Sequence, residues 1–101
     1  EGGMNITIPI EQFTGKMKFI NVNASMPFEM FGFTFAAHRG TEVHDASWRV
    51  VEASSGAIVT RGDTRIEAIE RAKELLSRMN MELIKKAVRK ALKQQKKAGK
   101  P

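Results

Sequence analysis

Isoleucines at positions 6, 8 and 10 alternate with Thr7 and Pro9, the period of a half-buried strand, and a proline inside such a run favours a sheet edge. Lys16 to Val22 reads as a second strand, with Lys18, Ile20 and Val22 on one side and Met17 and Phe19 on the other. A helical turn from Pro9 to Phe19 is the alternative this stretch leaves open. Asn21, Asn23, Ser25 and Pro27 mark a turn-rich break. From Phe28 to His38 the pattern predicts a strand in which Phe31, Phe33 and Phe35 share one face. A polar loop runs from Arg39 to Ser47, and then Trp48 to Glu52 and Ala57 to Thr60 flank Ser54-Ser55-Gly56. Apolar and β-branched runs on either side of a glycine turn predict a hairpin.

The period then changes. Thr64 followed three residues later by Glu67 is a capping box, and Ile66, Ile69, Ala72, Leu76, Met79 and Leu83 recur at helical spacing behind it. The stripe drifts round to Ile84, Val88 and Leu92, and no glycine or proline intervenes before Gly99. One helix over 64–97 is therefore predicted, which at about 1.5 Å per residue would be roughly 50 Å long. A helix of that length outruns a small domain, so its second half has to project, fold back near Asn80, or dock elsewhere. The fold class expected is α+β: a small antiparallel sheet of three or more strands packed against one long C-terminal helix. Residues 1–3 read as an expression remnant ahead of a native start at Met4, 4–81 as the folded domain, and 82–101 as a basic amphipathic extension with a disordered end.

Composition narrows the class. With 101 residues, 42% hydrophobic and 28% charged, the chain suits one globular domain. It has no cysteine, so disulfides and thiolate metal sites are excluded, and a cytoplasmic location fits. No stretch approaches the ~20 apolar residues of a membrane span.

The charge changes the picture most. Residues 1–81 carry nine Lys and Arg against ten Asp and Glu, a formal charge of −1, whereas 82–101 carry eight against Glu82 alone, +7. Lys85, Lys86, Arg89, Lys90, Lys93, Lys96 and Lys97 fall mostly opposite Ile84, Val88 and Leu92 on a helical projection. Three uses of this cationic helix compete. Its lysines can contact phosphates while the apolar edge packs on the domain or on a second copy. The apolar edge can enter a groove on an acidic protein partner. Or the helix can lie in a membrane interface, where the absence of Trp and Phe weakens it.

Candidate chemistry is sparse. His38 and His44, with Glu42 and Asp45 nearby, match no zinc-ligand spacing. Ser25, Ser47, Ser54, Ser55 and Ser77 lie in no nucleophile-elbow motif. Glu67, Glu70 and Glu74 read as helical neighbours of Arg71, Lys73 and Arg78, and the glycines form no phosphate loop. Arg61-Gly62-Asp63 spells an adhesion tripeptide by coincidence. No enzyme, metal or cofactor is expected.

Phe31-Gly32-Phe33 with Phe35 resembles the aromatic strand of the RNA recognition motif, although Glu29 and Met30 stand where that motif has a basic residue and a glycine. Residues 35–79 resemble the C-terminal part of the double-stranded RNA-binding domain more fully. They share its order of three strands and a helix, His44 four residues before Trp48, turn Gly56, Gly62 before the helix, a hydroxyl cap at Thr64 and small Ala72. An antitoxin fold beginning Gly-Asp-Thr-x-x-Glu-Ala is similar too. The double-stranded RNA-binding family implies a lysine cluster in the first helical turn, where this chain has Thr64-Arg65-Ile66-Glu67 and then Glu70. The resemblance thus implies the fold without that RNA-binding surface. Two functions are carried forward. One is a non-catalytic nucleic-acid-binding accessory protein, for DNA or RNA, working through the basic helix. The other is a protein-binding adaptor or inhibitor of the phage or plasmid accessory type.

Overall fold

In a computed structural model the chain is described over residues 3–11, 14–40 and 47–97. The polar loop with Glu42, His44 and Asp45 and the end of the expected extension, 98–101, lie outside these residues. Five strands, β1 (Met4–Glu11), β2 (Met17–Met30), β3 (Phe33–Arg39), β4 (Trp48–Glu52) and β5 (Ile58–Gly62), precede two helices, α1 (Arg65–Arg78) and α2 (Met81–Lys97). The strands form one antiparallel sheet in sequence order, β1-β2-β3-β4-β5. The fold is α+β, a five-stranded antiparallel sheet packed with two C-terminal helices.

β1 is an edge strand, as Pro9 predicts, and buries Ile6 and Ile8. The break expected at 21–27 is a bend inside β2. Ser25 pairs with Ala37 and Phe28 with Phe35, so β2 advances three residues while β3 advances two. Met26 takes the extra step with φ of +52°. A one-residue bulge reverses which side alternate residues face. Ile20, Val22 and Ala24 therefore join Ile6, Ile8, Ala36 and Val51 in a cluster away from the helices. Beyond the bulge, Phe28 and Met30 pack on the helix side with Phe35, Ala37 and Val50. One long strand thus serves two cores.

The strand predicted across 28–38 is cut in two. Phe31 and Gly32 have φ of +55° and +82° between the paired Met30 and Phe33, a two-residue hairpin turn of the I′ kind. Phe31 is on the turn and exposed, while Phe35 is buried, its ring centroid 5.5 Å from Phe28 and 6.5 Å from Phe33.

The predicted hairpin of β4 and β5 is organised by Glu52. Its buried carboxylate accepts from the Ser54 and Ser55 N–H groups at 3.1 and 2.9 Å and from their hydroxyls at 2.7 and 2.8 Å. Four donors around one carboxylate offset its desolvation. Gly56 follows at φ +74° and lies so close to β1 that a Cβ would meet the Thr7 carbonyl oxygen at 2.2 Å. The turn is thereby seated on the N-terminal hairpin.

α1 starts as the capping box predicts. Thr64 Oγ1 accepts from the Glu67 N–H at 3.1 Å, and the Glu67 carboxylate accepts from the Asp63 N–H at 2.9 Å. Ala68, Ile69, Ala72 and Leu76 bury its inner face. Gly62 packs directly under α1, so the Arg61-Gly62-Asp63 tripeptide is part of a strand end.

The single long helix does not form. α1 ends at Met79, which is extended (φ −90°, ψ 151°), and Asn80 starts a second helix: its side chain accepts from the Glu82 N–H at 2.6 Å. Asparagine at an N-cap satisfies donors that an uninterrupted helix would have paired with earlier carbonyls. α2 then folds back, placing Ile84 and Val88 in the core with Phe35 and Leu76. The longest extent of the molecule is 35 Å, well short of the projecting rod the pattern suggested.

Candidate nucleic-acid interface

α2 brings the predicted cations onto one exposed surface. Two contacts set its rotation about its own axis: the burial of Ile84 and Val88, and a hydrogen bond from the Gln95 side chain to the Ser55 carbonyl at 2.9 Å. With 3.6 residues per turn, Lys86, Arg89, Lys90, Lys93, Lys96 and Lys97 then point away from the core, and all six are exposed. Lys85 sits at the margin, half-buried and 4.0 Å from Glu82.

None of the six outward cations has an ion-pair partner among the described residues. Neighbours three and four apart on a helix, such as Lys86 and Lys90 or Arg89 and Lys93, repel by about 0.2–0.5 kcal/mol per pair. An anion laid along this face relieves that repulsion. Over the eleven steps from Lys86 to Lys97 the face is roughly 16 Å long. Glu82 in the first turn and Lys96 and Lys97 in the last complement the helix dipole.

The apolar edge expected to meet a partner is used differently. Ile84 and Val88 are 4% and 7% exposed and belong to this chain's own core, which corrects their assignment to a partner-facing stripe. Leu92 is 40% exposed and borders a wide, shallow depression among Lys86, Arg89, Lys93 and Lys96.

The cations of α1 are already engaged. Arg65 lies 5.3 Å from the Trp48 ring centre and donates to Ser25 Oγ at 3.0 Å, and Lys73 lies 5.1 Å from the Phe28 ring centre. Arg71 and Arg78 pair with Glu67 and Glu74 at 2.9 and 2.7 Å. The first turn of α1 therefore offers no free cationic grip.

Other candidate side chains have structural work. Ser54 and Ser55 hold Glu52, and Ser77 donates to the Glu74 carbonyl at 2.7 Å. His38 is buried, with Nδ1 2.8 Å from the Arg39 carbonyl. Burial first, and then the nearby charge of Arg49, hold its pKa below the ordinary 6.5, against the raising effect of the Arg39 hydrogen bond.

One grouping was missed from the sequence. Strand pairing puts His38 opposite Arg49 and Arg49 opposite Arg61, although 11 and 12 positions separate these pairs along the chain. Only the register, which no local signal carries, brings them into a row. No helix among the described residues is long and apolar enough to cross a membrane. Comparison with protein-family models, curated proteins and solved structures finds no match.

Proposed function

We propose that the chain is a non-catalytic nucleic-acid-binding accessory protein whose α2 face contacts backbone phosphates with little base readout. The observation that carries this reading is the division of α2. Ile84 and Val88 of its apolar edge are packed in the chain's own core, while six cations with no ion-pair partner among the described residues face outward. A helix already docked through Ile84 and Val88 keeps mainly charge for a partner, with Leu92 exposed at its margin, and regularly spaced phosphates match a line of guanidinium and ammonium groups about 16 Å long. If four to six of these cations each neutralise a phosphate, log affinity for duplex falls with log salt at a slope of about −3.6 to −5.4.

The test is anisotropy with labelled duplex and single-stranded oligonucleotides at two salt concentrations, on the intact chain and on a variant with Lys86, Lys90, Lys93 and Lys97 all changed to Gln. The slope should flatten by up to about 3.6 in the variant. Absence of binding at low salt, or an unchanged slope, refutes the reading.

A second reading, a protein-docking adaptor or inhibitor, is favoured by a different feature. An apolar cleft of about 120 Å³ lies between β5, α1 and α2, with Ile58 and Leu75 exposed at its rim. Pull-down from source lysate with and without nuclease separates the two: a stoichiometric protein that survives nuclease supports docking.

A further inference from the structure

α2 is joined to α1 through Met79 and Asn80 alone and is held on its own chain by few contacts. Of its residues Ile84 and Val88 are buried, and near its far end the Gln95 amide donates to the Ser55 carbonyl. Beside Ile84 and Val88 the packing is open, at the cleft of about 120 Å³ between β5, α1 and α2. Elements held by few buried contacts are the first to open. The break between the helices has a cost of its own. It leaves the last four C=O groups of α1 and the first four N–H groups of α2 without intrahelical partners, and the Asn80 side chain makes good only the Glu82 N–H. No glycine or proline between Arg65 and Lys97 forbids a single helix of roughly 50 Å. Leu75, Met79 and Leu83, four positions apart, would share one face of that helix. In the closed chain Leu75 and Leu83 are 41% and 56% exposed, so this face is uncovered.

We infer that two copies of this chain exchange α2: residues 65–97 straighten into one helix, and Ile84 and Val88 of each copy enter the other's core beside Phe35 and Leu76. The occupant of that seat is known because the same segment already fills it, and exchange re-forms the same contacts between chains. Two gains are added. Straightening restores the helix hydrogen bonds lost at the break, and the two-fold axis brings the Leu75, Met79 and Leu83 faces of the two long helices together. Against this stands the lost independent motion of two chains, so the balance is set by concentration. A hinge this short favours exchange. The outward cations of α2 lie opposite Ile84 and Val88 in either arrangement, so exchange neither needs the phosphate-contact reading nor removes it. Each copy carries a formal charge of +6, and association should therefore strengthen as salt screens the repulsion, the reverse of phosphate binding.

Sedimentation equilibrium on the intact, nuclease-treated chain at about 1 M salt, from about 10 μM to 1 mM, should show the mass rising from 11.3 kDa towards twice that value. NMR on an equal mixture of isotope-labelled and unlabelled chains should show contacts between the Ile84 methyl groups of one copy and the Phe35 ring of the other. Met81→Pro separates the two states. Met81 is the first residue of α2, a position where proline is at home because its missing N–H has no intrahelical partner, whereas inside a continuous helix its ring meets the carbonyl four residues back. That variant should stay monomeric throughout. Asn80→Ala removes a cap that only the closed chain uses, and with two caps involved per dimer it should tighten association by about tenfold or more. A monomer at about 1 mM, a dimer whose Ile84 and Phe35 contacts stay within one chain, a dimer untouched by Met81→Pro, or no tightening in Asn80→Ala overturns the inference.

Discussion

Ile84 and Leu83 are adjacent in α2, and the structure assigns them opposite fates: Ile84 is 4% exposed in the core with Phe35 and Leu76, while Leu83 is 56% exposed. Truncating each to alanine removes a comparable side chain from the same turn, with almost the same change in helix propensity. Ile84→Ala should lose the transfer energy of its buried methyl and methylene groups and leave a cavity, a cost of about 2–4 kcal/mol. Leu83→Ala should stay within about 0.5 kcal/mol, the range of ordinary surface changes. A domain of this length has about 5–15 kcal/mol in total, so both variants remain folded enough to measure. Urea denaturation followed by circular dichroism gives the comparison, with a lower midpoint and an unchanged slope expected for Ile84→Ala. Hydrogen exchange at α2 amides distinguishes global destabilisation from local undocking of the helix. Equal, small effects at the two positions would refute the claim that α2 is anchored by its own apolar edge, and the preference for phosphate contact over a protein groove would go with it.

Glu52→Gln removes the charge and puts an amide N–H₂ in place of one of the two oxygens that together accept from four donors, so the β4–β5 turn should lose about 2–4 kcal/mol in urea denaturation. A loss below half a unit would mean the turn holds without it. Asn80→Ala removes the cap of α2 and should cost about 1 kcal/mol and speed exchange at the Glu82 amide. The His38 pKa is depressed in the folded state, so the unfolded chain binds more protons as pH falls below the ordinary 6.5. Stability is complete above that pH and should decline as pH drops through the folded value, a trend that His38→Gln should abolish; an unchanged profile in that variant assigns the acid sensitivity elsewhere.

Local signals in the chain read well where one residue type has one physical use. Thr64 and Glu67 marked the start of α1, alternating isoleucines with Pro9 marked edge strand β1, and Ser54-Ser55-Gly56 marked the β4–β5 turn. The hairpin at Phe31-Gly32 was hidden because a phenylalanine at positive φ is costly and rarely chosen, so period-two aromatics read as a single strand. The division at Met79-Asn80 was legible only as one of three open outcomes, a fold-back near Asn80 beside projection and docking elsewhere. Neither glycine nor proline ends α1, and the capping power of Asn80 competes with an apolar stripe that runs straight past it. For the site, the lysines and Arg89 were legible from charge alone, and their exposed side followed from the stripe. That Ile84 and Val88 serve the home core depends on how far α2 swings back, which is a tertiary outcome.

The kink at Met26 carries a constraint on how this sequence can drift. Because β2 lines one core before it and another after it, the extra residue is what lets Ala24 and Phe28, four positions apart, face opposite sides; deleting that residue would leave Ser25 opposite Ala37 and Phe28 opposite Phe35 in an unbroken ladder. A chain shortened by one at Met26 should therefore keep both cores, trading a residue held at positive φ for a regular strand, whereas a two-residue deletion between Ala24 and Phe28 would turn Phe28 and Met30 off the helix side.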